Sequence, residues 1–170
     1  MTRIVNTLSE ISDDYDALFV DLWGCVHNGI KVYPAANAAL QKYRNNGGIV
    51  VLLTNSPKPR LEVEKQITTF GVWTDSWDII ASSGDSARVA MFEGVVGQKI
   101  FYIGPERDLS FFKPVKLLEK PLPIERVELQ YAEGMVCTGP FDPDVSPEKM
   151  IPQFLKAKER DLKLLCANPD

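Results

Sequence analysis

The chain has 170 residues, 45% of them hydrophobic and 25% charged, with a formal net charge of −4. This is the composition of a folded globular protein of one ordinary domain or two small ones, and it excludes a disordered chain. The acidic balance leaves no basic footprint for nucleic acid or an anionic membrane surface, and no apolar run is long enough to span a bilayer.

Residues 1–16 are polar, with Ile4, Leu8 and Ile11 at helical spacing, which predicts a short helical turn docked over the sheet. Asp13, Asp14 and Asp16 read as a solvated turn. No secretory signal pattern opens the chain, which sets the expectation of a cytoplasmic protein. Ala17, Leu18, Phe19 and Val20 then run without alternation into Asp21, the pattern of a strand buried on both faces. Gly24 and Asn28-Gly29 break it into a loop. Open α/β sheets bind ligands at the carboxyl edge of their strands, so Asp21 is the first candidate site residue. His27, the only histidine, lies in the same loop. Its ordinary pKa near neutrality makes it a candidate acid or base, the alternative being a partly exposed loop residue.

Pro34 opens a helix with Ala36, Ala39, Leu40 and Tyr43 on one face, ended by Gly47-Gly48. Ile49 to Leu53 is a second apolar strand, running into Thr54, Asn55, Ser56 and Pro57. A right-handed crossover makes the two strands parallel and puts Asp21 and Thr54 at one sheet edge. A carboxylate beside a hydroxyl and several backbone N–H groups suits a phosphoryl group bound with a metal ion. After Pro57 and Pro59 a helix, opened by Lys58, carries Val63, Ile67 and Phe70 on one face and ends at Gly71. Trp73 and Trp77 read as packing residues, and Asp78 to Ala81 as a third strand.

From Ser82 the pattern changes. Ser82 and Ser83 mark a hinge, and Asp85 caps a helix with Ala87, Ala90 and Met91 on one face. Ile100 to Ile103 is a strand, and the GPERD after it has neither the dinucleotide nor the Walker glycine pattern. A connection containing Pro114, Pro121 and Pro123 leads to another strand at Gly134 to Cys137. Phe141, Asp142 and Asp144 read as a solvated turn. Pro147 and Pro152 predict a helix in two pieces or with a kink, with Phe154, Leu155 and Ala157 facing a core, before a last strand from Lys163 to Ala167. Cys25, Cys137 and Cys166 have no paired spacing and read as buried, reduced thiols.

DLWG at Asp21 followed by VVLLTNSP ending at Pro57 resembles the first two motifs of the haloacid dehalogenase-like hydrolases. The LTN run, the spacing of Asp21 and Thr54, the segment inserted after the third strand and the late CANPD resemble subclass IIA, the NagD-like phosphatases. The resemblance covers essentially the whole chain. It implies an α/β fold: a partial Rossmann-like parallel-sheet core over residues 1–81 and an inserted α/β cap over 82–170, the remaining core strands being absent. Asp21 would be the nucleophile, taking the phosphoryl group as an aspartyl phosphate and giving one oxygen to Mg. The backbone carbonyl of Trp23 would be a second Mg ligand. The Thr54 hydroxyl and the Asn55 backbone would hold the phosphoryl oxygens. The implied substrate is a small phosphorylated metabolite, and the implied assembly a homo-oligomer through the cap.

Two departures qualify the resemblance. The family pattern places a second Asp two residues after the nucleophile, where it protonates the leaving oxygen. Here that position is Trp23, and an indole cannot act as a general acid or base near neutral pH. The family's lysine and further acidic residues come after the cap, which sets the expectation that this chain is the amino-terminal part of a longer protein and incomplete alone. The Asp21 strand would then lie on an edge with unpaired N–H and C=O groups, so that the chain aggregates, dimerises or needs its remaining part. Two alternatives stand beside the phosphatase: a non-catalytic phosphate-binding module that has lost its general acid, and a phosphoacceptor signalling domain, which lacks here the acidic pair after an earlier strand.

Overall fold

The computed structural model describes residues 4–116, 118–142 and 144–168. The chain divides into two units, one formed by Met1–Thr54 with Arg60–Ala81, the other by Asn55–Pro59 with Ser82–Asp170.

In the first unit the strands β1 (Ala17–Asp21), β2 (Ile49–Thr54) and β3 (Ile79–Ser82) form a sheet in the order β1-β2-β3. The parallel register of β1 and β2 sets Ala17 opposite Ile49 and Asp21 opposite Leu53. Helices α1 (Pro34–Asn45) and α2 (Arg60–Thr69) make the crossovers. Strand order advances in one direction, so right-handed crossovers put both helices on the same face. There Leu40 and Tyr43 of α1, and Val63 and Ile67 of α2, pack with Val50, Leu52 and Ile80. The opposite face carries Phe19, Ile49, Leu53 and Ile79, which are 71%, 49%, 38% and 51% exposed. The expectation that β1 is buried on both faces is therefore overturned: no crossover helix of this unit lies over Phe19.

Local contacts explain how these elements end. Gly47 takes φ +94°, the left-handed conformation that stops α1. Gly48 has a different reason, since a Cβ there would lie 2.2 Å from the Tyr43 ring. Asn37 is buried in α1, a position the apolar pattern did not mark. Its amide donates to the Gly71 carbonyl at 3.2 Å and accepts from the Trp73 N–H at 3.2 Å, tying α1 to the chain after α2. Asp78 accepts from Arg44 at 2.6 Å and from the Val50 N–H at 2.8 Å, which holds its carboxyl below the ordinary carboxylate range. Trp77 packs on the core as expected, whereas Trp73 is 45% exposed. Before β1 the chain makes two short 3-10 turns, Leu8–Glu10 and Ser12–Asp14, of which Leu8 touches the core.

The second unit is a four-stranded parallel sheet in the order β5-β4-β6-β7, built from β4 (Lys99–Ile103), β5 (Glu125–Arg126), β6 (Gly134–Cys137) and β7 (Lys163–Cys166). Helix α3 (Ser83–Phe92) packs Ala87 and Met91 against Ile100 and Val136. Helix α4 (Ile151–Glu159) packs Ala157 against Ile103 and Met135 on the other face. The cap of α3 is Ser82, whose Oγ accepts from the Asp85 N–H at 3.1 Å; the expected cap, Asp85, pairs instead with Arg88 at 2.8 Å. Pro147–Met150 is a 3-10 turn leading into α4, so the helix does come in two pieces, but Leu155 is 56% exposed rather than inward.

The segment Asn55–Pro59 joins this unit by close approach to α3. The Gly84 N–H donates to the Ser56 carbonyl at 3.0 Å, and a Cβ at Gly84 would lie 2.1 Å from the Pro57 oxygen. The expected burial of all three thiols is overturned: Cys25 and Cys166 are exposed and Cys137 is half-buried. Cys25 falls in the loop after β1, and Cys166 ends the outermost strand of its sheet, opposite Cys137. Among the described residues no helix is long and apolar enough to cross a membrane.

Candidate active site

The end of β1 is built from alternation carried one step past the strand. Asp21 is exposed, Leu22 is buried at 2% and Trp23 is exposed at 69%. Leu22, together with Val26, anchors the loop in the core of the first unit. The Leu22 N–H donates to Asp21 Oδ1 at 2.8 Å, which orients the carboxylate at the strand end. Because Asp21 lies opposite Leu53, Thr54 stands one residue further along the neighbouring strand. The carboxylate and the hydroxyl therefore occupy the same carboxyl edge of a parallel sheet, where open α/β folds place their ligands.

The loop beyond is closed by a small bridge. The Leu22 carbonyl accepts from the Val26 N–H at 2.9 Å and the His27 N–H at 3.1 Å, and the Gly24 N–H donates to the His27 carbonyl at 2.8 Å. Trp23 bridges His27 in the parallel sense, and His27 bridges Val32 in the antiparallel sense. In a parallel bridge the bonds use the residues on either side, so the N–H and C=O of Trp23 itself turn away from His27. Gly24 makes the turn at φ +79°.

His27 is 7% exposed, which corrects the expectation of a partly exposed loop residue. Its ring packs against Phe70 with centroids 5.0 Å apart. Nδ1 accepts from the Gly29 N–H at 3.0 Å, so a neutral ring carries its proton on Nε2. Burial lowers its pKa, against a smaller upward pull from the Asp21 charge. The Trp23 indole lies over Gly29, where a Cβ would come 3.2 Å from Nε1.

Asn55 follows Thr54 in the chain and belongs to the second unit. Its Nδ2 is 3.5 Å from Asn168 Oδ1, the outer limit of a hydrogen bond. Pro169 and Asp170 of the CANPD run lie outside the described residues. Lys58 does not open a helix, since α2 begins at Arg60; its N–H donates to Ser56 Oγ at 3.3 Å. The second unit also holds a polar cluster that the sequence pattern did not mark. Tyr102 Oη and Thr138 Oγ1 are 2.8 Å apart, and beside Thr138 burial pushes the Asp108 carboxyl up, with Arg107, Thr138 and Lys58 pulling it down.

The donors near β1 fit a hard cation in kind. Asp21 offers a carboxylate and Trp23 a carbonyl, and a Mg ion is often held by one or two carboxylates plus substrate oxygens and water. Among the described residues no three His, Cys, Asp or Glu side chains gather into a metal-ligand cluster.

Residues 18–117 match the haloacid dehalogenase-like hydrolase family. The chain belongs to this family. Among solved structures, a haloacid dehalogenase-like hydrolase from Brucella suis is 38% identical, with a TM-score of 0.89 over 99% of this chain and 61% of its own. A p-nitrophenyl phosphatase from Archaeoglobus fulgidus is 21% identical, with a TM-score of 0.64 over 91% of this chain and 56% of its own. A glycerol phosphate phosphatase from Mycobacterium tuberculosis, solved in complex with calcium, is 18% identical, with a TM-score of 0.63 over 94% of this chain and 44% of its own. The latter two show likeness of fold. The chain thus spans less than two thirds of the length of each. No curated protein matches the sequence.

Proposed function

We propose that this haloacid dehalogenase-like hydrolase is a NagD-like phosphatase that cleaves small phosphomonoesters through Asp21. The observation that carries the reading is the exposed Asp21 carboxylate at the carboxyl edge of β1, in register with Leu53 and so one residue short of Thr54 on the neighbouring strand. An Asp21 oxygen attacks phosphorus, the bond from phosphorus to the leaving oxygen breaks, and the phosphoryl group rests on the carboxylate. Water then attacks the same phosphorus and frees phosphate and Asp21. Splitting the hydrolysis through a carboxylate nucleophile replaces one difficult step by two easier ones. The Thr54 hydroxyl and the Asn55 N–H, adjacent in the chain, donate to the phosphoryl oxygens as charge spreads over them. Mg, held by the Asp21 carboxylate and the Trp23 carbonyl, would neutralise part of that charge when bound.

In this reading residues 1–81 are the catalytic core and 82–170 the cap that selects the metabolite, oligomers form through the cap, and the protein acts in the cytoplasm. The test is phosphate release from phosphomonoesters with Mg, and radiolabel transferred to the protein. Asp21→Asn is expected to abolish both, lowering release by at least about a thousandfold, as loss of a nucleophile does. Equal release by wild type and variant overturns the proposal. A second reading, the non-catalytic phosphate-binding module, is favoured by Trp23 standing two residues past Asp21; phosphate binding without label transfer would establish it.

A further inference from the structure

The loop after β1 carries two side chains close in sequence to Asp21, the exposed Trp23 and the buried His27, and neither is suited to give up a proton. Trp23 lies on the same side as Asp21, because Leu22 between them is buried and alternation persists. Its indole N–H can donate a hydrogen bond but does not ionise near neutral pH. His27 is buried against Phe70, with Nδ1 occupied by the Gly29 N–H. The backbone on either side of Trp23 is held. Backbone bonds from Leu22 and Gly24 to His27 flank it, and Gly29 lies beneath the indole without a side chain to lift it. The edge of the sheet thus offers an exposed aromatic surface two residues past an exposed carboxylate.

We propose that this site takes aryl phosphates, the aromatic ring of the substrate stacking on Trp23 and its oxygen leaving as a phenolate that needs no proton donor. The inference rests on the phosphatase reading and names its substrate class. An alkoxide is about as basic as hydroxide and departs poorly unless protonated. A phenolate, with a conjugate acid near pKa ~10 or below, departs as the anion. As Asp21 oxygen bonds to phosphorus, the bond to the aryl oxygen breaks and its electron pair leaves on that oxygen, which takes a proton from solvent afterwards. Stacking of one ring on another favours an aryl over an alkyl group by about tenfold.

Two measurements on the full chain with Mg test this. The first is kcat/KM for aryl phosphates of graded leaving-group basicity and for glycerol phosphate. It is expected to fall steeply as basicity rises, with the alkyl ester at least about a hundredfold below nitrophenyl phosphate. Trp23→Ala is expected to raise KM for the aryl esters about tenfold, and Trp23→Asp to flatten the dependence and bring glycerol phosphate into range. Aryl and alkyl rates within about tenfold of each other, or an unchanged KM in Trp23→Ala, overturn the proposal. The second measurement is calorimetric binding of phenylphosphonate and methylphosphonate, which does not depend on turnover. A preference of about tenfold for the phenyl compound, lost in Trp23→Ala, supports the stacking surface; equal affinities overturn it. A phenyl preference without Asp21-dependent phosphate release means that the phosphatase reading fails while the aromatic recognition stands. Trp23 is 69% exposed, so these variants are expected to fold.

Discussion

The imidazole of His27 is fixed on both sides, by the Phe70 ring at 5.0 Å and by the Gly29 N–H on Nδ1 at 3.0 Å. That arrangement needs the neutral ring, and burial depresses the folded pKa below the ordinary 6.5, the Asp21 charge offsetting only part of the effect. The sign is fixed by linkage. Below pH 6.5 the unfolded chain takes up a proton that the folded chain refuses, so stability rises with pH in this range. The contribution is complete above the unfolded value and is lost as pH falls through it toward the folded value. Because His27 is the only histidine, His27→Gln isolates it. Urea unfolding at pH 7.5 and 5.5 is expected to show a larger loss in the wild type than in the variant, and an equal loss would refute the neutral, buried ring. Phosphate release per folded molecule is expected to stay within about twofold, since a histidine acting as acid or base contributes about a hundredfold or more. The position of Asp21 was legible because an apolar run ends in a carboxylate. The burial of His27 was not, because the ring that covers it arrives from the far end of α2.

At the scale of elements, the buried Arg88 shows what a helical pattern conceals. It lies in α3 between Ala87 and Met91, on the face that a wheel marks as apolar. Its Nε donates to the Phe111 carbonyl at 2.9 Å, Nη1 to Asp85 at 2.8 Å and Nη2 to the Lys113 carbonyl at 2.5 Å. The guanidinium thus satisfies two carbonyls of the irregular stretch between β4 and β5, and fixes that stretch to α3. Removing one partner of a buried charged network costs about 3 kcal/mol or more, because the groups left behind are desolvated without partners. Arg88→Met preserves much of the volume and loses the bonds, so urea unfolding is expected to show a loss of this order. A loss under about 0.5 kcal/mol, typical of a surface position, would show that the network is dispensable. The regular strands β2, β4, β6 and β7 were read from their apolar runs within a residue or two. Strand β5 was not, for Glu125 and Arg126 carry no apolar pattern and are set as a strand only by pairing with Lys99 and Ile100 of β4.

For the molecule as a whole, the decisive contrast is between its two sheets. In the second unit α3 and α4 cover opposite faces, as a parallel sheet requires. In the first unit α1 and α2 share one face, leaving Phe19, Ile49, Leu53 and Ile79 on the other. The continuous apolar run of β1 correctly signalled two apolar faces, but only the hand and order of the crossovers decide which face is covered. Among the described strands β1 is also an outer strand of its sheet, so one edge of its backbone offers polar N–H and C=O groups for pairing beside that exposed apolar face. Such a surface favours association with another copy or with any chain that covers it. The apparent mass measured by light scattering is therefore expected to rise with concentration in the micromolar range. Phe19→Lys, at the most exposed of the four positions, is expected to weaken that association by at least about tenfold, at a cost to folding within about 0.5 kcal/mol because the side chain makes little core contact. A wild-type chain that stays monomeric across the range would refute the role of this face. Association that persists in Phe19→Lys but yields to substitutions in the second unit would assign it to that unit instead.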